Sequence, residues 1–151
     1  MADFESTLND LLLDTFNTIL KYESQSLKSI MGVTITIGEA HMLDCIARLG
    51  EQATISAIAA HMQLAMPTTT VAIKKLEQKG YVVKAPSVVD GRRVSVNLTE
   101  QGQLIDRAHN IFHRRMVLNV SRQIQPDERE VLLEAIGQLN KFFRHQTEAT
   151  K

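Results

Sequence analysis

The sequence predicts a mainly α-helical chain carrying one small β-hairpin. Apolar residues recur at spacings of three and four over most of its length, interrupted by capping residues and glycines that start and stop helices. The period switches to two only around Asp90-Gly91, a turn signal beyond which Val94, Val96 and Leu98 alternate with Ser95 and Asn97. With no Trp, two Tyr and three Pro among 151 residues, the chain reads as nearly all helix with one small hairpin.

The first helix is expected from about Phe4 to Met31, ending at Gly32, with Leu8, Leu12, Phe16, Ile19, Leu27 and Ile30 along one stripe. Glu23 falls on that stripe, four residues from both Ile19 and Leu27, so a carboxylate sits on a face meant for burial. It requires a partner there. Thr36-Ile37-Gly38-Glu39 is a capping box that opens a second helix from Ile37 to about Leu49, stopped by Gly50. Thr54 can cap a short helix over Ile55–Met62 whose Ile58 and Ala59 face inward. A short connection, Gln63 to Ala65, leads into a helix with Pro67 in its first turn, Val71, Ile73 and Leu76 as its apolar residues, and Gly80 at the stop. Tyr81, Val82 and Val83 then pair as a strand with the segment after Asp90-Gly91. Thr99 can cap a helix from about Glu100 to Val120, with Leu104, Ala108, Ile111 and Leu118 on one side and Ile105, Phe112 and Met116 on the next. Pro126-Asp127-Glu128 opens the last helix, with acids at the positive end of its dipole. Val131, Leu132, Ala135, Leu139, Phe142 and Phe143 form its apolar face, and fraying is expected near His145.

Two short helices joined by a tight turn, the second followed by a hairpin, make a winged helix-turn-helix over residues 36–99. The flanking helical segments, 1–35 and 100–151, bring more apolar side chains than a lone winged helix could cover. They are therefore expected to interlock with a second copy as dimerisation helices.

Charge is distributed unevenly. From Met66 to Arg93 stand six basic residues, Lys74, Lys75, Lys79, Lys84, Arg92 and Arg93, against Glu77 and Asp90, so this window is +4 in a chain of zero net charge. A local positive footprint of this kind suits phosphate backbone, and double-stranded DNA is the expected partner. On the basic helix the solvent-facing Thr68, Thr70 and Val71 are expected at base edges and Lys74, Lys75 and Lys79 at phosphates, with Thr69 turned inward.

The run from Thr54 to Gly102, including LEQKGYV, VDGRR and VNLTEQG, resembles the MarR family of dimeric bacterial transcription regulators. The similarity extends more weakly over the whole chain. Within that family, GEAHMLDCI and GQLIDRAHNIFHRRMV look most like the fatty-acid-biosynthesis repressors of Gram-positive bacteria. The resemblance implies that the terminal helices form the dimer. It also implies that Asp90-Gly91-Arg92 is the wing tip, Asp90 orienting Arg92 for a narrow A·T-rich minor groove while Arg93 is a phosphate or structural contact. One departure stands out: Ala65 occupies the position where the family has a capping Ser or Thr, a change that typically costs about 1 kcal/mol.

A second constellation combines Glu23 and His41 with His109 and His113, the two latter one helical turn apart on one face. Three imidazoles and a carboxylate make an N3O set suited to zinc, and similar positions are ligands in MarR-family zinc-uptake repressors. The other reading is a hydrogen-bonded cluster linking the DNA-binding and dimer parts. An effector bound there is expected to be zinc acting as a corepressor, or an acyl chain lined by Leu27, Met31 and Phe112.

An enzyme is poorly supported, because no nucleotide loop and no nucleophile–base set is present. The structural alternative, a winged helix used only for protein contacts, has no need of the basic cluster. The N-terminus carries acids where a secretory signal carries Lys or Arg, and no apolar run approaches a membrane span, so a cytoplasmic protein is expected. Cys45, the lone cysteine, lies among Leu43, Ile46 and Ala47 and reads as a core thiol.

Overall fold

The computed structural model describes residues 2–32, 35–88 and 90–149. Their order is α1 (Ala2–Met31), α2 (Ile37–Leu49), a single 3-10 turn (Gly50–Gln52), α3 (Ile55–Met62), α4 (Met66–Gln78), β1 (Val82–Pro86), β2 (Val94–Leu98), α5 (Glu100–Gln123) and α6 (Arg129–Ala149). The expected mainly helical winged helix-turn-helix is thus observed. The chain forms two compact units, one up to Phe112 and one from His113 onward, with the division inside α5.

The first unit is built around the winged helix. Its core joins Leu43, Cys45 and Ile46 of α2, Ile58 of α3, Ile73 and Leu76 of α4, Tyr81 and Val82 at the start of the hairpin, Val96 of β2 and Ile105 of α5. Six of these, Leu43, Ile58, Ile73, Leu76, Val96 and Ile105, have no exposed surface at all. Each such side chain contributes about 1.5–3 kcal/mol relative to an exposed position. Local signals set the ends of these helices. Thr36 and Glu39 close the reciprocal capping box, with Glu39 N–H on Thr36 Oγ1 at 3.2 Å and Thr36 N–H on Glu39 Oε2 at 2.9 Å. Thr54 caps α3 by accepting Ala57 N–H at 3.2 Å. Gln63 ends α3 in the left-handed conformation, φ 55°, which turns the chain sharply into α4.

The hairpin pairs antiparallel, Val82 opposite Leu98, Lys84 opposite Val96 and Pro86 opposite Val94. Its burial departs from simple alternation: Val94 is half exposed, while Ser95 is buried next to buried Val96. Two contacts explain this. Residue 95 bridges Thr54, and Val96 N–H donates to Ala53 O at 2.7 Å, so the segment before α3 covers the outer edge of β2. Ser95 suits that closed position because its hydroxyl donates to Ala85 O at 3.3 Å.

Helix α5 starts against the end of α4. Thr99 Oγ1 accepts Gly102 N–H at 3.1 Å and donates to Gly80 O at 2.7 Å, while Thr99 N–H donates to Tyr81 O at 3.0 Å. A Cβ at Gly102 would collide with the Tyr81 carbonyl oxygen. Glycine is required there by proximity, not by backbone conformation.

In the second unit, α6 begins at Arg129, three residues later than Pro126 suggests. Pro126–Glu128 form a turn in which Gln125 N–H donates to Glu128 Oε2 at 3.3 Å, and the first helical bond is Leu132 N–H to Glu128 O at 3.0 Å. The helix also runs past His145 to Ala149, with Arg144 Nε donating to Asn140 Oδ1 at 2.9 Å. None of its residues is buried; Val131, Leu133, Ile136, Phe142 and Phe143 are all more than half exposed.

Candidate nucleic-acid interface and a glutamate–histidine cluster

Helix α4 buries Thr69, Ile73 and Leu76 and turns Thr68, Thr70, Val71, Lys74 and Lys75 to solvent. Val71, read first as part of the apolar side, is 55% exposed, which places it with the surface residues. Both threonines that follow Thr68 bond back to the helix, Thr69 Oγ1 to Ala65 O at 3.0 Å and Thr70 Oγ1 to Met66 O at 2.9 Å. With its proton committed, Thr70 presents an acceptor oxygen and a methyl group outward. Ala65 is the N-cap and supplies no side-chain bond, unlike Thr36 and Thr54 on the two preceding helices. An uncapped helix start facing solvent leaves N–H groups and a dipole end that both favour negative charge.

At the wing tip the backbone is closed by Ser87 N–H on Arg93 O at 2.7 Å and Arg93 N–H on Asp90 O at 2.9 Å. Asp90 Oδ1 accepts the Arg92 backbone N–H at 3.1 Å, and Asp90 Oδ2 faces Arg93 Nε at 3.6 Å. The aspartate therefore holds Arg92 through the main chain, and it is the Arg93 guanidinium that lies beside it. Both arginines are on the exposed surface. Lys84, also in the basic window, pairs with Glu77 of α4 at 3.3 Å.

Lys79 is the C-cap of α4, and its Nζ lies 2.8 Å from each carboxylate oxygen of Glu39, forty residues earlier on α2. Burial pushes the Glu39 carboxyl up, but the Lys79 ammonium and the Thr36 N–H outweigh this and hold it below its ordinary value. Sequence reasoning saw Glu39 only as a capping residue. Its spacing from Lys79 carries no local signal.

Glu23 is 2% exposed and accepts two imidazoles on one oxygen, His41 Nε2 at 3.0 Å and His109 Nε2 at 2.5 Å from Oε1. The two rings stand 5.3 Å apart at 52°. His109 is buried and His41 about half exposed. With His113, one turn further along α5, the four residues bring ligand atoms within 4.8 Å of one another. All four residues singled out from sequence therefore converge. The donor set, three imidazole nitrogens and one carboxylate, is of the kind that holds zinc, while the two Nε2–Oε1 distances are those of hydrogen bonds. Beside the cluster, Leu27 and Phe112 are buried and the Tyr22 ring meets Phe112 edge-on at 5.0 Å. Met31, the third residue expected to line an acyl site, has a side chain outside those described.

No described helix is long and apolar enough to cross a membrane. Residues 35–94 match the model of the MarR family. No curated protein matches the chain. Among solved structures, Streptococcus pneumoniae FabT in complex with DNA is 28% identical with a TM-score of 0.83, covering 94% of this chain and 99% of that one. The S. aureus MepR–DNA complex is 19% identical with a TM-score of 0.72, covering 88% and 94%. A MarR family protein from Bacillus stearothermophilus is 22% identical with a TM-score of 0.69, covering 95% and 99%.

Proposed function

We propose that the protein is a MarR-family transcription regulator rather than an enzyme, acting as a cytoplasmic homodimeric repressor of a pseudo-palindromic operator; the match of residues 35–94 to the MarR model and the likeness to the FabT–DNA complex support this reading. The observation that carries the proposal is the solvent face of α4. It combines an uncapped start, the exposed Thr68, Thr70 and Val71, and the lysines Lys74 and Lys75, with the Arg92 wing following in the chain. Thr68, Thr70 and Val71 read base edges, Thr70 by its methyl and acceptor oxygen. Lys74, Lys75 and Arg93 hold phosphates, and Arg92, held through its backbone by Asp90, enters the flanking minor groove. A winged helix serving protein contacts alone would leave these cations without a role. The exposed apolar faces of α1, with Phe4, Leu11 and Phe16 each more than half exposed, and of α6 are what a second copy covers. Two recognition helices then meet successive major grooves roughly 34 Å apart.

Control is assigned to the Glu23–His41–His109–His113 cluster. The 28% identity to FabT, together with the resemblance to fatty-acid-biosynthesis repressors, supports an acyl ligand packed against Leu27 and Phe112 and control of fatty-acid synthesis. A zinc corepressor is the second reading, favoured by the convergence of four ligand atoms; zinc there would cross-link α1, α2 and α5 as a structural ion. Either ligand changes DNA affinity only by its preference for the DNA-competent arrangement.

Native mass spectrometry of the purified protein tests the assembly and the ligand together. A stable monomer at micromolar concentration would overturn the dimer. His109→Ala with His113→Ala, assayed for DNA binding with zinc and with a chelator, separates the ligands. Affinity lost in the variant and zinc-dependent in the parent supports the metal. Loss without zinc dependence favours an acyl-responsive or purely structural cluster over the metal, and no change in any condition reduces the cluster to packing.

A further inference from the structure

We propose that Glu39 and Lys79 form a positioning pair for DNA reading, in which Lys79 acts through Glu39 to set the tilt of α4 rather than as a phosphate contact. The inference rests on the DNA-reading role of α4 proposed above. Helix α4 is held unequally at its two ends. Its start has no side-chain cap and carries the exposed reading residues. Its end is tied to the wing and α5 through Thr99, and to α2 through the Lys79 ammonium, which meets both Glu39 oxygens at 2.8 Å.

Glu39 is a fixed anchor for that tie. Its Oε2 also accepts Thr36 N–H at 2.9 Å, so the capping box of α2 locks the rotamer that receives Lys79. The carboxylate side chain is only 15% exposed and the lysine side chain 36%, which makes the pair stronger than a fully solvated one. An ammonium with two of its donors aimed at one carboxylate is neutralised toward DNA, and as the helix C-cap it also satisfies the negative end of the helix dipole.

The leverage is large. Thr68 lies eleven residues before Lys79, about 16 Å along the helix axis at 1.5 Å per residue. A tilt of about 4° at Lys79 moves Thr68 by about 1 Å, enough to break a hydrogen bond to a base edge. Loss of the pair should therefore cost sequence discrimination more than general affinity for the phosphate backbone.

The test uses the full-length protein, a duplex that the parent selects from a random pool, and a random-sequence duplex, each titrated over a salt series. Glu39→Gln keeps a side chain that can complete the capping box, so it removes the ion pair while α2 stays capped. It should weaken binding to the selected duplex about tenfold, the worth of one lost base contact, with the random duplex nearly unaffected and the salt slope unchanged. Glu39→Asp retains the charge but shortens the reach and should lose a similar factor, which a purely electrostatic role of Glu39 does not predict. Lys79→Met should match Glu39→Gln, and the double variant should lose no more than the weaker-binding single variant. The result that overturns the proposal is a salt slope flattened by about one in Lys79→Met, with Glu39→Gln binding as well as or better than the parent; Lys79 is then a phosphate contact. Additive losses in the double variant overturn it equally. Thermal melts check folding, and if Lys79→Met is unfolded, the two Glu39 variants decide. A parent that selects no sequence from the pool removes the regulator reading itself, and this inference with it.

Discussion

Helices α4 and α6 are both amphipathic, yet one buries its apolar face within the chain and the other does not. Ile73 and Leu76 of α4 are fully buried against α2, α3, the hairpin and α5. Phe142 and Phe143 of α6, whose rings meet edge-on at 5.3 Å, are 56% and 53% exposed, and Leu133 is 71% exposed. Amphipathicity alone therefore says that a face will be covered, not by what. The winged helix completes itself, whereas α6 leaves its apolar face on the surface.

The largest expected effect is on the self-sufficient side. Ile73→Ala should destabilise the folded protein by about 2–5 kcal/mol in chemical denaturation, by transfer and cavity terms together. Ile136→Ala on α6, measured in dilute protein, should stay within about 0.5 kcal/mol. Comparable losses at the two sites would mean that α6 is packed within its own chain. Replacing Phe142 and Phe143 together by serine should convert dimer to monomer in sedimentation. It should weaken binding to a two-half-site duplex about a hundredfold, because the second half-site contact is no longer intramolecular, while the melting of the winged helix is preserved.

Within the winged helix, smaller effects distinguish readers from anchors. Arg92→Ala should cost about 1–3 kcal/mol on specific DNA and relax the preference for A·T pairs beside the half-sites. Lys75→Ala should weaken all duplexes alike and reduce the salt slope by about one. Equal factors on specific and random DNA for Arg92→Ala would remove sequence reading from the wing. The smallest effect is acidic. The Glu39 carboxyl titrates below its ordinary value of 4.5 in the folded protein, so its contribution to stability is complete above that value and is lost as pH falls through the lower folded value. The stability difference between parent and Glu39→Gln should accordingly be constant near neutrality and close at acid pH, as read from denaturation midpoints.

The sequence by itself determined every element whose ends depend on groups within four residues. Thr36 with Glu39, Thr54 and Thr99 cap the helices they precede because each partner amide is three residues away, and Asp90-Gly91 turns the hairpin where its signal stands. The exposed threonines and lysines of α4 were legible for the same reason: a helix spaces its faces by local geometry. The tertiary structure decided what local spacing cannot encode. Ser95 is buried because the segment before α3 lies across β2. Sequence placed Glu23 on a buried face and grouped it with three histidines, but only folding puts His41 and His109, 18 and 86 residues away, on the same oxygen. Lys79 finds Glu39 across forty residues in the same way. A carboxylate specifies that it needs a cation or a donor; which one it receives depends on which helices the core brings alongside it.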